Sequence, residues 1–219
     1  MIQVKDLTVQ FETPGEIVKV LDGLNFTVAE GAATAVVGPS GSGKTTLLNV
    51  LGALLPATSG SVVIGGEDLA KMTEKEAARF RNQELGFVFQ QHHLLPQLTV
   101  LENVLTPRLA GGWDESEDDT RARATALLDR VGLGHRLTHR PGELSGGEKQ
   151  RTAVARALIN QPRVVLADEP TGALDGETGN KVAELLLELQ KEQGVTLIVV
   201  THDLDLAKRV GNIFDLTKD

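Results

Sequence analysis

Gly38, Pro39, Ser40, Gly41, Ser42, Gly43, Lys44 and Thr45 spell G-x-x-x-x-G-K-T, a pattern suited to holding phosphate. Its glycines let successive backbone N–H groups turn inward around an anion, and a helix starting behind them adds positive potential. Lys44 would set a point charge against the β- and γ-phosphates of a nucleotide. The Thr45 hydroxyl would join the shell of a magnesium ion that otherwise prefers water and phosphate oxygen. Thr46, next on the same helix, is counted with this set. A second constellation follows the apolar run at residues 164–167, which ends in Asp168, Glu169 and Pro170. Ligands of open α/β sheets gather at the C-terminal ends of strands, and neighbouring strand residues face opposite sides. The two acids should therefore divide the work, one reaching the metal and the other a water beside the γ-phosphate. Hydrolysis would need Glu169 to orient or deprotonate that water.

A third glycine-rich segment, Leu144, Ser145, Gly146, Gly147 and Glu148, opens a helix. Ser145 and Glu148 read as a capping box. That leaves Gly146 and Gly147 unexplained, each costing about 1 kcal/mol relative to alanine inside a helix. They make sense where something must approach the backbone closely, so the segment reads as a second anion site without a lysine.

The elements that must position these residues can be traced in the pattern. Ile2, Val4, Leu24, Phe26 and Val28 fall at period two, with a turn at residues 13–15. A buried strand at 33–37 leads into the glycine loop and a helix over about residues 43–54. Further strands are expected at 60–64, 85–89, 164–167 and 196–200, and a helix with Val182, Leu185, Leu186 and Leu189 on one stripe. Short apolar runs alternating with amphipathic helices predict α/β architecture: a parallel core sheet with an antiparallel β annex. The helical middle, about residues 95–160, is expected to be an insertion within one domain spanning 1–219. The acidic stretch 114–119 is expected to be a solvated loop feeding a helix.

Taken together, these motifs resemble the ATP-binding subunits of ABC transporters, whose signature is Leu-Ser-Gly-Gly-Glu and whose fold is of the P-loop NTPase (RecA-like) class. The resemblance covers essentially the whole chain, in the family's order. It implies ATP and Mg2+ as ligands, with Thr45, Gln90 and Asp168 at the magnesium positions and Glu169 as the catalytic carboxylate. It further implies His202 as the switch histidine at the γ-phosphate, and Asp175, in Ala173-Leu174-Asp175, as part of a loop signalling between two copies. The family's dimer is head to tail, each ATP lying between the cradle of one copy and Ser145, Gly146, Gly147 and Glu148 of the other. Residues 90–104 and 166–175 look like those of lipoprotein-releasing (LolD-type) and MacB-like exporter ATPases. The segment after Gln90 is where that family receives a transmembrane permease subunit, so Leu94, Leu95, Pro96 and Leu98 are expected to form an apolar socket. The family usually stacks adenine on an aromatic residue, commonly tyrosine. The matching position here is Phe11, whose ring can stack but lacks a hydroxyl.

Composition narrows the function classes. With 22 Lys plus Arg against 30 Asp plus Glu, the net charge is −8, which argues against a nucleic-acid coat held by phosphate neutralisation. There is no Cys, which excludes disulfides, thiolate zinc sites and a thiol nucleophile. Six Phe, one Trp and no Tyr leave few platforms for stacking bases. No apolar run is long enough to span a bilayer. The family resemblance implies a place on the cytoplasmic face of the inner membrane, held peripherally through a partner and without direct insertion. The leading expectation is an ATPase motor for export or lipoprotein extraction. An alternative is an ATPase signalling mechanically through a non-transporting membrane partner. A soluble ABC-type ATPase acting on nucleic acid is disfavoured by the lack of a coiled-coil arm, a second ATPase copy or a basic patch. The chain stops at Asp219, just beyond the last apparent strand, so a further tail is expected.

Overall fold

The computed structural model describes residues 1–111 and 114–217; Asp219 lies outside the described residues. Strands β1 (Ile2–Thr13) and β2 (Glu16–Val28) form a long hairpin, followed by β3 (Ala33–Val37) and helix α1 (Lys44–Leu51). Strands β4 (Ser59–Ile64) and β5 (Glu67–Asp68) precede α2 (Glu74–Glu84) and β6 (Leu85–Phe89). Three helices come next: α3 (Val100–Leu105), α4 (Glu117–Arg130) and α5 (Gly146–Leu158). The chain continues through β7 (Val164–Asp168), α6 (Gly176–Gln193), β8 (Thr196–Val200), α7 (Leu204–Val210) and β9 (Asn212–Asp215).

Two sheets result, as the alternating and continuous apolar patterns predict. β1, β2, β4 and β5 pair antiparallel in the order β2-β1-β4-β5, and five parallel strands run β6-β7-β8-β3-β9. The parallel strands are covered on both faces, so they read as unbroken apolar runs. Val165, Ala167, Leu197 and Val199 face the helices α3 to α6, whereas Val164, Leu166, Ile198 and Val200 face α1 and the antiparallel sheet. This alternation places the core on either side of one sheet and leaves its C-terminal edge free for loops.

Several boundaries differ from expectation for local reasons. Helix α1 stops at Leu51 because Gly52 and Ala53 follow, the latter in the left-handed region at φ 51°. Helix α2 was not expected; its signal was Thr73 and Glu76, which form a capping box before it. The acidic stretch is only partly solvated. Glu115 forms ion pairs with Arg108 and Arg123 in a half-buried cluster, because three carboxylates that follow it already occupy the first turn of α4. Helix α5 lies directly on β6, close enough that a Cβ at Gly86 would come within 2.3 Å of the Ala157 carbonyl oxygen.

Candidate functional site

The phosphate cradle connects β3 to α1. Gly41 and Gly43 take φ of 82° and 91°, and a Cβ on Gly43 would meet the Val20 carbonyl oxygen at 2.9 Å and a Leu21 methyl at 2.7 Å. Only glycine can bring the loop this close to β2. The turn is closed by the Ser42 N–H donating to the Pro39 oxygen at 3.2 Å. Lys44 Nζ donates to the carbonyl oxygens of Gly38 and Pro39, at 2.9 and 2.8 Å, and so holds its charge across the mouth of the loop. Helix α1 has neither a side-chain cap nor an acid in its first turn, so its N-terminal N–H groups keep their positive end for an anion. Ser42 Oγ is buried without a hydrogen-bond partner among the described residues, a polar atom left for a ligand to satisfy. Ser40, Gly41 and Thr45 are exposed on the rim, and Thr46 is half buried behind them.

Asp168 ends β7 and Glu169 follows it outside the strand, and the two face different neighbours because the backbone turns at Glu169. The Thr45 hydroxyl lies near Asp168, and burial, reinforced by the charge of Glu169, pushes the Asp168 carboxyl above the ordinary aspartate range. The same hydroxyl and the nearby Lys44 charge pull it the other way. Gln90 follows Phe89, which pairs in register with Asp168. Its amide lies against the loop after Glu169, where a Cβ on Gly172 would sit 2.9 Å from Gln90 Nε2. Hydroxyl, amide oxygen and carboxylate are all hard oxygen donors, which fits a magnesium ion that keeps several waters. Among the described residues no three His, Asp or Glu cluster as a protein-only metal cage. A site completed by phosphate and water is therefore the better match to these donors.

Glu169 is held by the neighbouring strand. Its N–H donates to the Val200 oxygen at 2.9 Å, and its carboxylate accepts from the Thr201 hydroxyl at 3.1 Å and the His202 N–H at 3.1 Å. His202 Nδ1 lies 2.7 Å from the same carboxylate, with the ring largely exposed. The backbone of Glu169 is left-handed at φ 44°, a conformation costing about 1–3 kcal/mol in a residue with a side chain. Such strain at a strand tip marks a position whose aim matters more than its comfort.

Ser145, Gly146, Gly147 and Glu148 begin α5. The capping box is present: the Glu148 N–H donates to Ser145 Oγ at 3.3 Å, and Glu148 accepts from the Ser145 N–H at 2.8 Å. That backbone bond, with Arg136 pairing the other carboxylate oxygen at 3.1 Å, holds the Glu148 carboxyl below its ordinary range. Within the chain, Gly147 already has a reason to lack a side chain, since a Cβ would meet Thr178 Cγ2 at 2.4 Å. Ser145 and Gly146 are exposed. Asp175 caps α6, accepting from the Thr178 N–H at 3.0 Å, which lowers its carboxyl pKa.

Phe11 points outward. It pairs with Val18 across the β1–β2 hairpin, both exposed, on the strand whose Val20 touches Gly43. An apolar ring therefore stands on the same hairpin that braces the cradle.

The expected socket residues are divided: Leu95 and Pro96 are exposed, while Leu94 and Leu98 are half buried. A groove of about 500 Å³ that includes none of these four is lined by Leu54, Leu85, Phe87, Phe89, His93 and Arg156. Asn103, fully buried, grips residues 95–99 through four hydrogen bonds. Asn103, Gln150, Arg156 and Thr201 escaped the sequence reading. Asn103 lies within residues 90–104, Gln150 two residues beyond Glu148 and Thr201 beside His202, all in segments singled out for other residues.

The sequence model of the ABC transporter family matches residues 21–172. The lipoprotein-releasing system ATP-binding protein LolD 1 of Rhodopirellula baltica is 54% identical over 216 residues, covering 99% of this chain and 93% of that one. The LolD protein of Geobacter metallireducens is 52% identical over 211 residues, covering 96% and 93%. Among solved structures, the dimeric bacterial ABC transporter cassette MJ0796 superposes with a TM-score of 0.88 at 42% identity, covering 98% of this chain and 94% of that one. A dimeric post-hydrolysis form of the same cassette, bound to ADP and Pi, gives 0.88 at 41% identity over the same shares. With a family match across most of its length and relatives that share half its residues, the chain belongs to the ABC transporter family, among the ATP-binding cassettes.

Proposed function

We propose that this protein is the ATP-hydrolysing motor of a membrane ABC transporter, working as a pair of copies and driving lipoprotein release through a membrane partner. The observation that carries the reading is the meeting of Lys44, Thr45, Asp168 and Glu169 at one edge of the parallel sheet, beside a loop with an orphaned buried hydroxyl. Residues 38–46 hold the phosphates, and Phe11 offers its face to the base. Thr45, Gln90 and Asp168 would hold Mg2+, which would supply positive charge to the phosphate oxygens when bound. Glu169 orients a water and accepts its proton as the water oxygen attacks the γ-phosphorus and the β–γ bridging oxygen leaves with ADP. His202 and Thr201 keep that carboxylate aimed. Lys44 and the N-terminus of α1 offset charge on the transferring group.

The exposed Ser145 and Gly146 are placed to meet the nucleotide of a second copy, with Gly147, Glu148 and Asp175 shaping that surface. Closure on ATP and release after hydrolysis then form a two-state device. Residues 95–160 form the arm that carries this surface within a single ATP-binding unit. A permease subunit seats in the groove beside His93, on the cytoplasmic face of the inner membrane. Among the described residues no helix is long and apolar enough to cross a membrane.

Two variants test the reading. Lys44→Ala is expected to weaken ATP binding at least about a hundredfold, the loss of a charge-assisted contact in a preorganised cradle. Glu169→Gln is expected to bind ATP normally, hydrolyse it at least about a hundredfold more slowly and accumulate as an ATP-bound dimer on size-exclusion chromatography. Wild-type turnover in Glu169→Gln removes that residue from its role.

A further inference from the structure

Gln150 is fully buried in α5, and its side chain reaches two strand ends at once. Nε2 donates to the Pro170 carbonyl oxygen at 2.7 Å and to that of Phe89 at 3.3 Å. Phe89 immediately precedes Gln90, and Pro170 immediately follows Glu169. One carboxamide thus spans the backbones that carry the metal-side glutamine and the water-side glutamate, using both hydrogens of its nitrogen. Its Oε1 is buried with no hydrogen-bond partner among the described residues. An apolar side chain of equal volume would avoid that cost, so packing alone does not account for a glutamine here.

The rest of α5 holds the same segment. Arg156 donates to the carbonyl oxygens of His92 and His93, both at 2.6 Å, and His92 Nε2 lies 3.0 Å from the Gly146 oxygen. These contacts fix a turn in which His92 and His93 both have positive φ, at 60° and 48°. Helix α5 and residues 89–93 are therefore tied at several points along the helix. Gln150 adds the tie from that helix to the Glu169 loop through Pro170.

We propose that Gln150 is a positioning residue for hydrolysis: it sets the separation between Gln90 and Glu169 and makes both follow the movement of α5. This rests on the function proposed above and deepens it. The helix that presents Ser145 to a second copy is linked by one side chain to the groups acting on the chain's own nucleotide. A small tilt of α5 shifts the Phe89 and Pro170 carbonyls together, so closure of the pair is felt at both sites before any bond breaks.

Gln150→Met in the full chain keeps the volume and removes both donors. The amides of His92 and Gly172 close turns onto the oxygens of Phe89 and Glu169. In the nucleotide-free variant they are expected to exchange with solvent about tenfold faster, while those of β8 and α6 keep wild-type rates. In ATPase assays kcat is expected to fall about tenfold with the KM for ATP within about twofold of wild type, because the cradle is untouched. Gln150→Glu, of the same size but an acceptor when ionised, is expected to behave alike and stands in if the Met variant does not fold. Wild-type exchange at His92 and Gly172, or a wild-type kcat, overturns the assignment. A wild-type chain that hydrolyses no ATP would overturn the function proposed above, and the exchange rates would then judge Gln150 alone.

Discussion

Asp168 carries an electrostatic conflict that a ligand is suited to resolve. Its carboxyl is partly desolvated and stands beside a second acid, so its pKa in the folded chain lies above the unfolded value. The sign follows: between the ordinary aspartate pKa and the raised one the folded state binds more protons, so stability falls as pH rises through that window. At neutral pH the ionised group is a net burden on the nucleotide-free fold. Asp168→Asn is therefore expected to raise the thermal midpoint. The same change is expected to abolish turnover, and calorimetry with an ATPase assay checks both halves. Much of this site was legible in the sequence because the cradle and the acid pair are local patterns. Lys44 and Gly38 are six residues apart, and Asp168 and Glu169 are adjacent. Gln150 was not legible, since its acceptors lie 61 and 20 residues away and an isolated glutamine on a helix looks like any surface residue.

Among the described residues three α-helices start with the same device. Thr73–Glu76, Thr99–Glu102 and Ser145–Glu148 are reciprocal capping boxes at α2, α3 and α5. In each, a backbone N–H donating to the glutamate holds its carboxyl below the ordinary value of 4.5. A lowered pKa contributes stability that is present above the unfolded value and lost as pH falls through the folded one. The urea midpoint is accordingly expected to hold steady down to about pH 5 and to drop below it. Replacing all three glutamates with glutamine should flatten that drop, and an unchanged slope would remove the boxes as its source. At this scale the strands were the easiest to read, since continuous apolar runs can only be buried on both faces. Helix α2 was overlooked because its one buried anchor is Phe80 and the rest of its surface is polar. Its capping box was the available sign.

For the whole molecule, the groove lined by His93 and Arg156 borders the turn that follows Gln90. Its lining includes β6 and Leu54, and the same Arg156 that clamps residues 92 and 93. A helix from a membrane subunit seated there would press on the turn that follows Gln90. Leu54 is half exposed, so Leu54→Asp should leave the fold and the ATPase rate of the free chain within about twofold of wild type. Recovery of the membrane subunit from detergent extracts is expected to fall at least about tenfold, and full recovery places the contact elsewhere. The sheet order has a consequence of a different kind. Among the described residues β3, the strand that leads into the cradle, pairs only with β8 and β9, which begin at residues 196 and 212. The antiparallel sheet, by contrast, has its three long strands in hand once residue 64 is made. On the ribosome the amino-terminal sheet can close early, while the cradle strand waits for residues 196–215 to emerge before it has a neighbour. A nascent chain thus acquires its grip on nucleotide after the surfaces that will use the grip have been made.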